Sequence, residues 1–171
     1  MNFEVIGQAV ENAKIKVVGV GGAGGNAVIH MINHDIEGVD FICANTDTQA
    51  LSQADGAITL KLGNGLTKGL GAGAKHDIGQ AAADESLNEI VSYIQGSNMV
   101  FITAGMGGGT GTGAAPVIAE IAREKGILTI AVVTHPFTNE GGYRKQYAKE
   151  GLEELKKQEL ETASVAPEQS V

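Results

Sequence analysis

The sequence predicts an α/β fold, a three-layer Rossmann-like parallel sheet with helices on both faces. Three observations carry this. Five short apolar runs rich in Val and Ile alternate with helix-periodic segments, the pattern of strands joined by crossover helices. Hydrophobic residues make up 43% of the chain but aromatics only 4%, with no Trp, and aliphatic side chains of this kind fill parallel sheets buried on both faces. Glycines crowd directly after the strand candidates, where ligands of such sheets sit.

The strands are expected at 14–20, 39–44, 57–62, 99–104 and 127–134. Helices are expected at 26–33, briefly after Thr48, at 77–95 with Asp77 as N-cap, and at 114–125. In the last of these Val117, Ile118, Ile121 and Ala122 share one face. Residues 140–160 are rich in Glu and Lys, and Tyr147, Leu152 and Leu155 mark a further helical face. The expected organisation is an N-terminal extension (1–13), one nucleotide-binding domain (14–160) and a disordered tail (161–171), because ETASVAPEQSV has little apolar content.

At 171 residues the chain suits one domain with a proper core. A net charge of −8 argues against a general electrostatic affinity for nucleic acid or anionic lipid, so a bound anion must be met by local groups. The single Cys43 lies in an apolar run and forms no intrachain disulfide, which fits a reducing compartment; it reads as a small buried side chain. The first residues carry acids and no long apolar block, unlike a secretory signal, and no run reaches membrane-spanning length. A soluble, cytoplasmic protein is expected.

Sixteen of the 25 glycines fall in three clusters, which is what directs the functional reading. The first is GVGGAGGN (19–26), the second GNGLTKGLGAGA (63–74), and the third GMGGGTGTG (105–113). Missing side chains let a ligand approach the main chain, and a helix N-terminus offers unpaired N–H groups and partial positive charge, so such turns cradle phosphate. Gly19, Gly21 and Gly24 satisfy G-x-G-x-x-G, which also fits a dinucleotide site with Asp47 as the ribose acid. Three glycine-rich turns suit a longer phosphate chain, favouring a nucleoside triphosphate. The chain contains no G-K-S or G-K-T, so it lacks the Walker lysine. Phosphate charge would then fall to amides, the Thr110 and Thr112 hydroxyls, and a bridging Mg²⁺.

Read from Gly107, the run GGGTGTG matches the signature [SAG]-G-G-T-G-[SAT]-G of the tubulin and FtsZ superfamily. GVGGAGGNAV, NTDTQAL, TKGLGAGAKHDIGQAAADES, MVFITAGMGGGTGTGAAPVIAE and ILTIAVVTHPF resemble its FtsZ branch, in order, from about Lys14 to Leu155. The resemblance implies a GTPase of bacterial cell division, binding GTP or GDP with Mg²⁺ through the phosphates and no direct protein ligand for the metal. It implies head-to-tail protofilaments with itself or full-length FtsZ, contacts with other division proteins, and a mid-cell cytoplasmic location. By position it assigns Gly22, Ala23, Gly24, Gly25 and Asn26 to the first phosphate loop. Asn45, Thr46 and Asp47 fall near phosphates and metal, and Ala72, Gly73 and Ala74 in the loop that senses the γ-phosphate. Gly107, Gly108, Gly109, Thr110, Gly111 and Thr112 surround the α- and β-phosphates, while Glu140 and Arg144 meet ribose and nucleotide.

Two departures stand out. The family's K-P-F-N-F-E-G-K-x-R reads here His135-Pro136-Phe137-Thr138-Asn139-Glu140-Gly141-Gly142-Tyr143-Arg144, keeping the acid and base but losing an aromatic and basic residues. The family also continues into a central helix and a second domain that carries an acidic catalytic loop, so the chain reads as a truncated nucleotide-binding part with no complete catalytic set. Weak nucleotide binding and little hydrolysis by the chain alone are expected. A truncated non-catalytic paralogue that modulates full-length filaments, and an NAD-binding Rossmann oxidoreductase, stand as alternatives. His30 and His34, at i,i+4, read as surface histidines without a third metal ligand; Asp84 and Glu85 read as a solvated face, and Lys68 as either a phosphate contact or a surface lysine.

Overall fold

The computed structural model describes residues 12–158 and 161–165. Its strands are β1 (Ile15–Val20), β2 (Asp40–Asn45), β3 (Ile58–Lys61), β4 (Met99–Gly105), β5 (Leu128–Thr134) and β6 (Glu161–Val165). Its helices are α1 (Gly21–Asn33), α2 (Thr48–Leu51), α3 (Asn64–Thr67), α4 (His76–Glu85), α5 (Leu87–Ile94), α6 (Thr110–Glu124) and α7 (Gly142–Lys156). The six strands form one wholly parallel sheet in the order β3-β2-β1-β4-β5-β6.

Strand pleating explains why the two faces carry separate cores. Val18, Val20, Ile42, Ala44, Val100, Ile102 and Ala104 point to one side and pack with buried residues of α4–α7, among them Ile90, Ile94, Ile118 and Leu155. Val17, Phe41 and Cys43 point to the other, where Val28 of α1, together with Leu51 and Ala54, covers them. Each fully buried Val, Ile or Leu contributes about 1.5–3 kcal/mol, so the aliphatic composition is sufficient without large aromatics. Val17↔Phe41 and Val17↔Phe101 fix the register at the centre of the sheet.

The structure corrects several expected boundaries. α1 begins at Gly21, five residues before the expected start, and α6 at Thr110, four before. Glycine's poor helix propensity hides both starts, and close packing overrides it. A Cβ at Gly24 would collide with the Thr103 carbonyl, and one at Gly113 with the His76 carbonyl, so both helices lie tight against their neighbours. The expected single helix 77–95 divides at Ser86, whose hydroxyl is buried and accepts the Gly63 N–H at 2.9 Å. Lys75, not Asp77, is the N-cap of α4, and Asp77 lies in its first turn. Glu85, read as solvated, accepts N–H groups of Gly65 (2.7 Å) and Leu66 (3.0 Å), holding the first turn of α3.

The expected disordered tail is overturned at its start. Residues 161–165 form β6, in register with 130–134 of β5. An added edge strand is held by main-chain hydrogen bonds and needs few apolar side chains, so composition misreads it. Positions 166–171 of that expected tail, and 1–11 of the expected extension, lie outside the described residues. Among the described residues no helix is long and apolar enough to cross a membrane.

Candidate functional site

All strands are parallel, so all their C-terminal ends lie on one edge. The strand order reverses at β1, whose loop leads to α1 on one face, while neighbouring β4 leads to α6 on the other. Ligands of doubly wound sheets sit above such a switch point. Here a cavity of about 680 Å³ opens there, walled by the loops after β1, β2, β3, β4 and β5. The three glycine clusters therefore converge.

Fourteen of the nineteen expected site residues line it: Gly22, Ala23, Asn45, Thr46, Asp47, Ala72, Gly73, Ala74, Gly108, Gly109, Thr110, Gly111, Glu140 and Arg144. The other five do not. Gly24 is buried against Gly19 and Thr103, where it lets α1 approach the sheet. Gly25 and Asn26 line a small adjoining pocket with Cys43 and Gln53. Gly107 has a φ of 103° and packs against Pro136 and Arg144, and its N–H donates to the Thr112 hydroxyl at 2.8 Å. Thr112 thus closes the turn instead of facing the cavity. Lys68 and the His30–His34 pair stand away from the cavity walls. Leu70, Met106, His135, Pro136 and Phe137 also line the cavity. Leu70 is 85% exposed, an apolar side chain at the mouth whose only sequence signal was its place inside a glycine cluster.

Backbone groups dominate the floor. α1 and α6, of 13 and 15 residues, begin at the cavity with no side-chain cap on their first-turn N–H groups and no acid in the first turn. Most helices satisfy those donors with Ser, Thr, Asp or Asn. Two uncapped N-termini on one cavity make a strong anion site. A Cβ built at Gly22 or Gly108 meets no protein atom within 4 Å, so these glycines are not required by the chain's own packing. The chemistry of such a cradle is close main-chain contact with an oxyanion.

The wall after β2 is stitched to that after β3. The Thr48 N–H donates to the Gly69 carbonyl (3.0 Å), and the Gly71 N–H to the Thr46 carbonyl (3.2 Å). Asp47 Oδ1 accepts from Gln49 and Ala50 N–H groups, capping α2. On the far wall Glu140 accepts the Phe137 N–H at 2.7 Å and pairs with Arg144 at 2.8 Å. These bonds, the backbone one foremost, hold its carboxyl below the ordinary glutamate value. Burial pushes the Cys43 thiol up.

A model of the tubulin/FtsZ family GTPase domain matches residues 14–169. The chain belongs to the tubulin/FtsZ family. It is 59% identical over 153 residues to the cell division protein FtsZ of Pseudomonas putida, covering 90% of this chain and 38% of that protein. To FtsZ of Coxiella burnetii it is 55% identical over 153 residues, covering 90% and 40%. The chain thus spans about two-fifths of the curated relatives it matches. Among solved structures, an empty FtsZ dimer of M. jannaschii superposes with a TM-score of 0.87 at 49% identity, covering 90% of this chain and 45% of that one. CetZ1 of Haloferax volcanii, at 23% identity and a TM-score of 0.83, shares the fold. With GTPase-domain membership of this family established, the dinucleotide reading of the first glycine loop falls away.

Proposed function

We propose that this chain is the GTP-binding part of an FtsZ-type division protein of the cytoplasm. Its cavity takes the triphosphate between the N-termini of α1 and α6. The observation that carries this is the pairing of two uncapped helix starts with glycines whose missing side chains nothing in the protein replaces. Gly22 and Ala23, Gly108–Gly111, and Ala72–Ala74 supply amides along the phosphate chain, and Glu140 and Arg144 meet ribose and nucleotide. Gly25 and Asn26 line the adjoining pocket, and the resemblance brings that first phosphate loop toward the base.

In this reading Mg²⁺ is held chiefly through the nucleotide: Asp47 Oδ1 caps α2, and among the described residues no three His, Cys, Asp or Glu side chains gather around a metal position. Mg²⁺ commonly keeps its waters and takes phosphate oxygens. When bound it would offset phosphate charge, while this chain's part is to position and shield the phosphates. Phosphoryl transfer depends mainly on such positioning and charge stabilisation. Among the described residues the carboxylates lining the cavity are Asp47 and Glu140, and both are hydrogen-bonded within their own loops, so neither is offered as the acid that orients an attacking water. In our reading that acid comes from another subunit, in head-to-tail assembly of the kind that resemblance to FtsZ implies.

The test is a fluorescence titration of the purified chain with mant-GTP, with NADH as comparator and phosphate release measured in parallel. Saturable mant-GTP binding displaced by GDP, with no NADH binding and no steady-state turnover, is expected. Failure to bind mant-GTP would overturn the binding role, and steady-state turnover by the chain alone would overturn the division of catalytic labour.

A further inference from the structure

Thr46 is among the residues that line the cavity, yet it is fully buried. Its main chain is held on all sides. The N–H donates to Asn45 Oδ1 at 2.8 Å, and the carbonyl accepts from Gly71 N–H at 3.2 Å and from the buried Thr67 hydroxyl at 3.3 Å. Its own hydroxyl has one partner among the described residues, Thr110 Oγ1, at 2.7 Å. Thr110 is the first residue of α6 and also lines the cavity, with 9% of its surface exposed.

We propose that Thr46 is a positioning residue that turns the Thr110 hydroxyl proton into the cavity, toward a phosphate oxygen; this rests on the GTP-binding reading. The argument is a count of protons. Two hydroxyls share one short contact, so one donates and the other accepts. Thr46 Oγ1 is fully buried with no other acceptor among the described residues, whereas Thr110 keeps 9% of its surface exposed at the cavity, so an orphaned donor costs more at Thr46. Thr46 therefore donates. Thr110 accepts, and its own proton is left for the cavity. A hydroxyl that accepts a hydrogen bond is polarised into a better donor, and the surrounding low dielectric strengthens the effect. With its side chain fully buried, Thr46 acts on the phosphate through Thr110. Because the Thr46 carbonyl is bonded to Thr67 and Gly71, the loop after β3 sets where that hydroxyl stands.

Two measurements on the whole chain test it. In the ligand-free protein, NMR should find the Thr46 hydroxyl proton in slow exchange with water and the Thr110 proton in fast exchange; the reverse pattern overturns the proposal. In mant-GTP titrations Thr46→Val should weaken binding on the order of tenfold, as loss of support for a charge-assisted hydrogen bond does, and Thr46→Ser should restore it to within about twofold. In a Thr110→Val background, Thr46→Val should have no further effect, since its partner is gone. An equal loss in both backgrounds would mark general damage to the fold and overturn the positioning role. If the wild-type chain bound no mant-GTP, the GTP-binding reading would fall, while the exchange pattern would still decide the order of the two protons.

Discussion

Gly108→Ala separates a glycine kept for a ligand from one kept for folding. Gly108 lines the cavity, its φ lies outside the left-handed region, and an added Cβ meets no protein atom within 4 Å. The substitution should therefore fold. By narrowing the unfolded ensemble it should stabilise the chain by about 0.4–1 kcal/mol, raising Tm by roughly 1–4 °C at this size. In the proposed complex the methyl would stand where the nucleotide approaches the main chain. Overpacking of about 1–3 kcal/mol corresponds to roughly a five- to 150-fold loss of mant-GTP affinity. Gly113→Ala is the control: its Cβ would collide with the His76 carbonyl and stand 2.5 Å from the Gln80 nitrogen. That variant should lose about 1–3 kcal/mol of stability, and Tm should fall. Differential scanning calorimetry with mant-GTP titration reads both. Unchanged affinity in a well-folded Gly108→Ala would refute the reasoning, as would its failure to fold.

The Glu140 contacts set a pH dependence. Its folded pKa lies below the ordinary value, so the loop closure it contributes is complete above that value and is lost only as pH falls through the lower folded one. The Phe137 amide shift should titrate with a midpoint below that of an ordinary glutamate, and Glu140→Gln should abolish the titration; a midpoint at or above the ordinary value would contradict the geometry. Cys43 is buried and its thiol is held protonated by burial. It should react slowly with Ellman's reagent at pH 8 in the folded chain and at once in guanidinium, whereas prompt labelling of the folded chain would place it at the surface.

The sheet was legible because its signal is local: apolar runs such as 99–104 and 127–134 read as strands wherever they lie, and β4 and β5 agree within a residue. What hid was structure decided by distant partners. The starts of α1 and α6 lie in glycine-rich sequence that local propensity reads as loop, and packing against the Thr103 and His76 carbonyls makes them helix. The break at Ser86 depends on Gly63, 23 residues away. β6 is held through the main chain of β5. The quoted motifs locate loops that line the cavity, but they cannot tell cavity-facing Gly22 from buried Gly24, two residues on, because that distinction belongs to the register of α1 on the sheet.

Convergence of loops on one edge is a property of any parallel sheet, so the cavity by itself says little about a polyphosphate. What distinguishes this edge is how the glycines divide. Gly19, Gly24, Gly79 and Gly113 are enclosed by protein, and their small size brings α1 against the sheet and α4 against α6. Gly109 interlocks with the loop after β3, its Cβ position 2.9 Å from the Ala72 Cβ and 3.0 Å from the Lys75 nitrogen. This close packing is what holds two helix N-termini and the 72–75 loop in fixed relation. Gly22 and Gly108 then need no packing role, and their main chain is left bare on a frame the other glycines have made rigid. Electrostatic stabilisation by backbone dipoles works only when those dipoles do not have to reorganise. The enclosed glycines supply that rigidity, and the open ones supply the access.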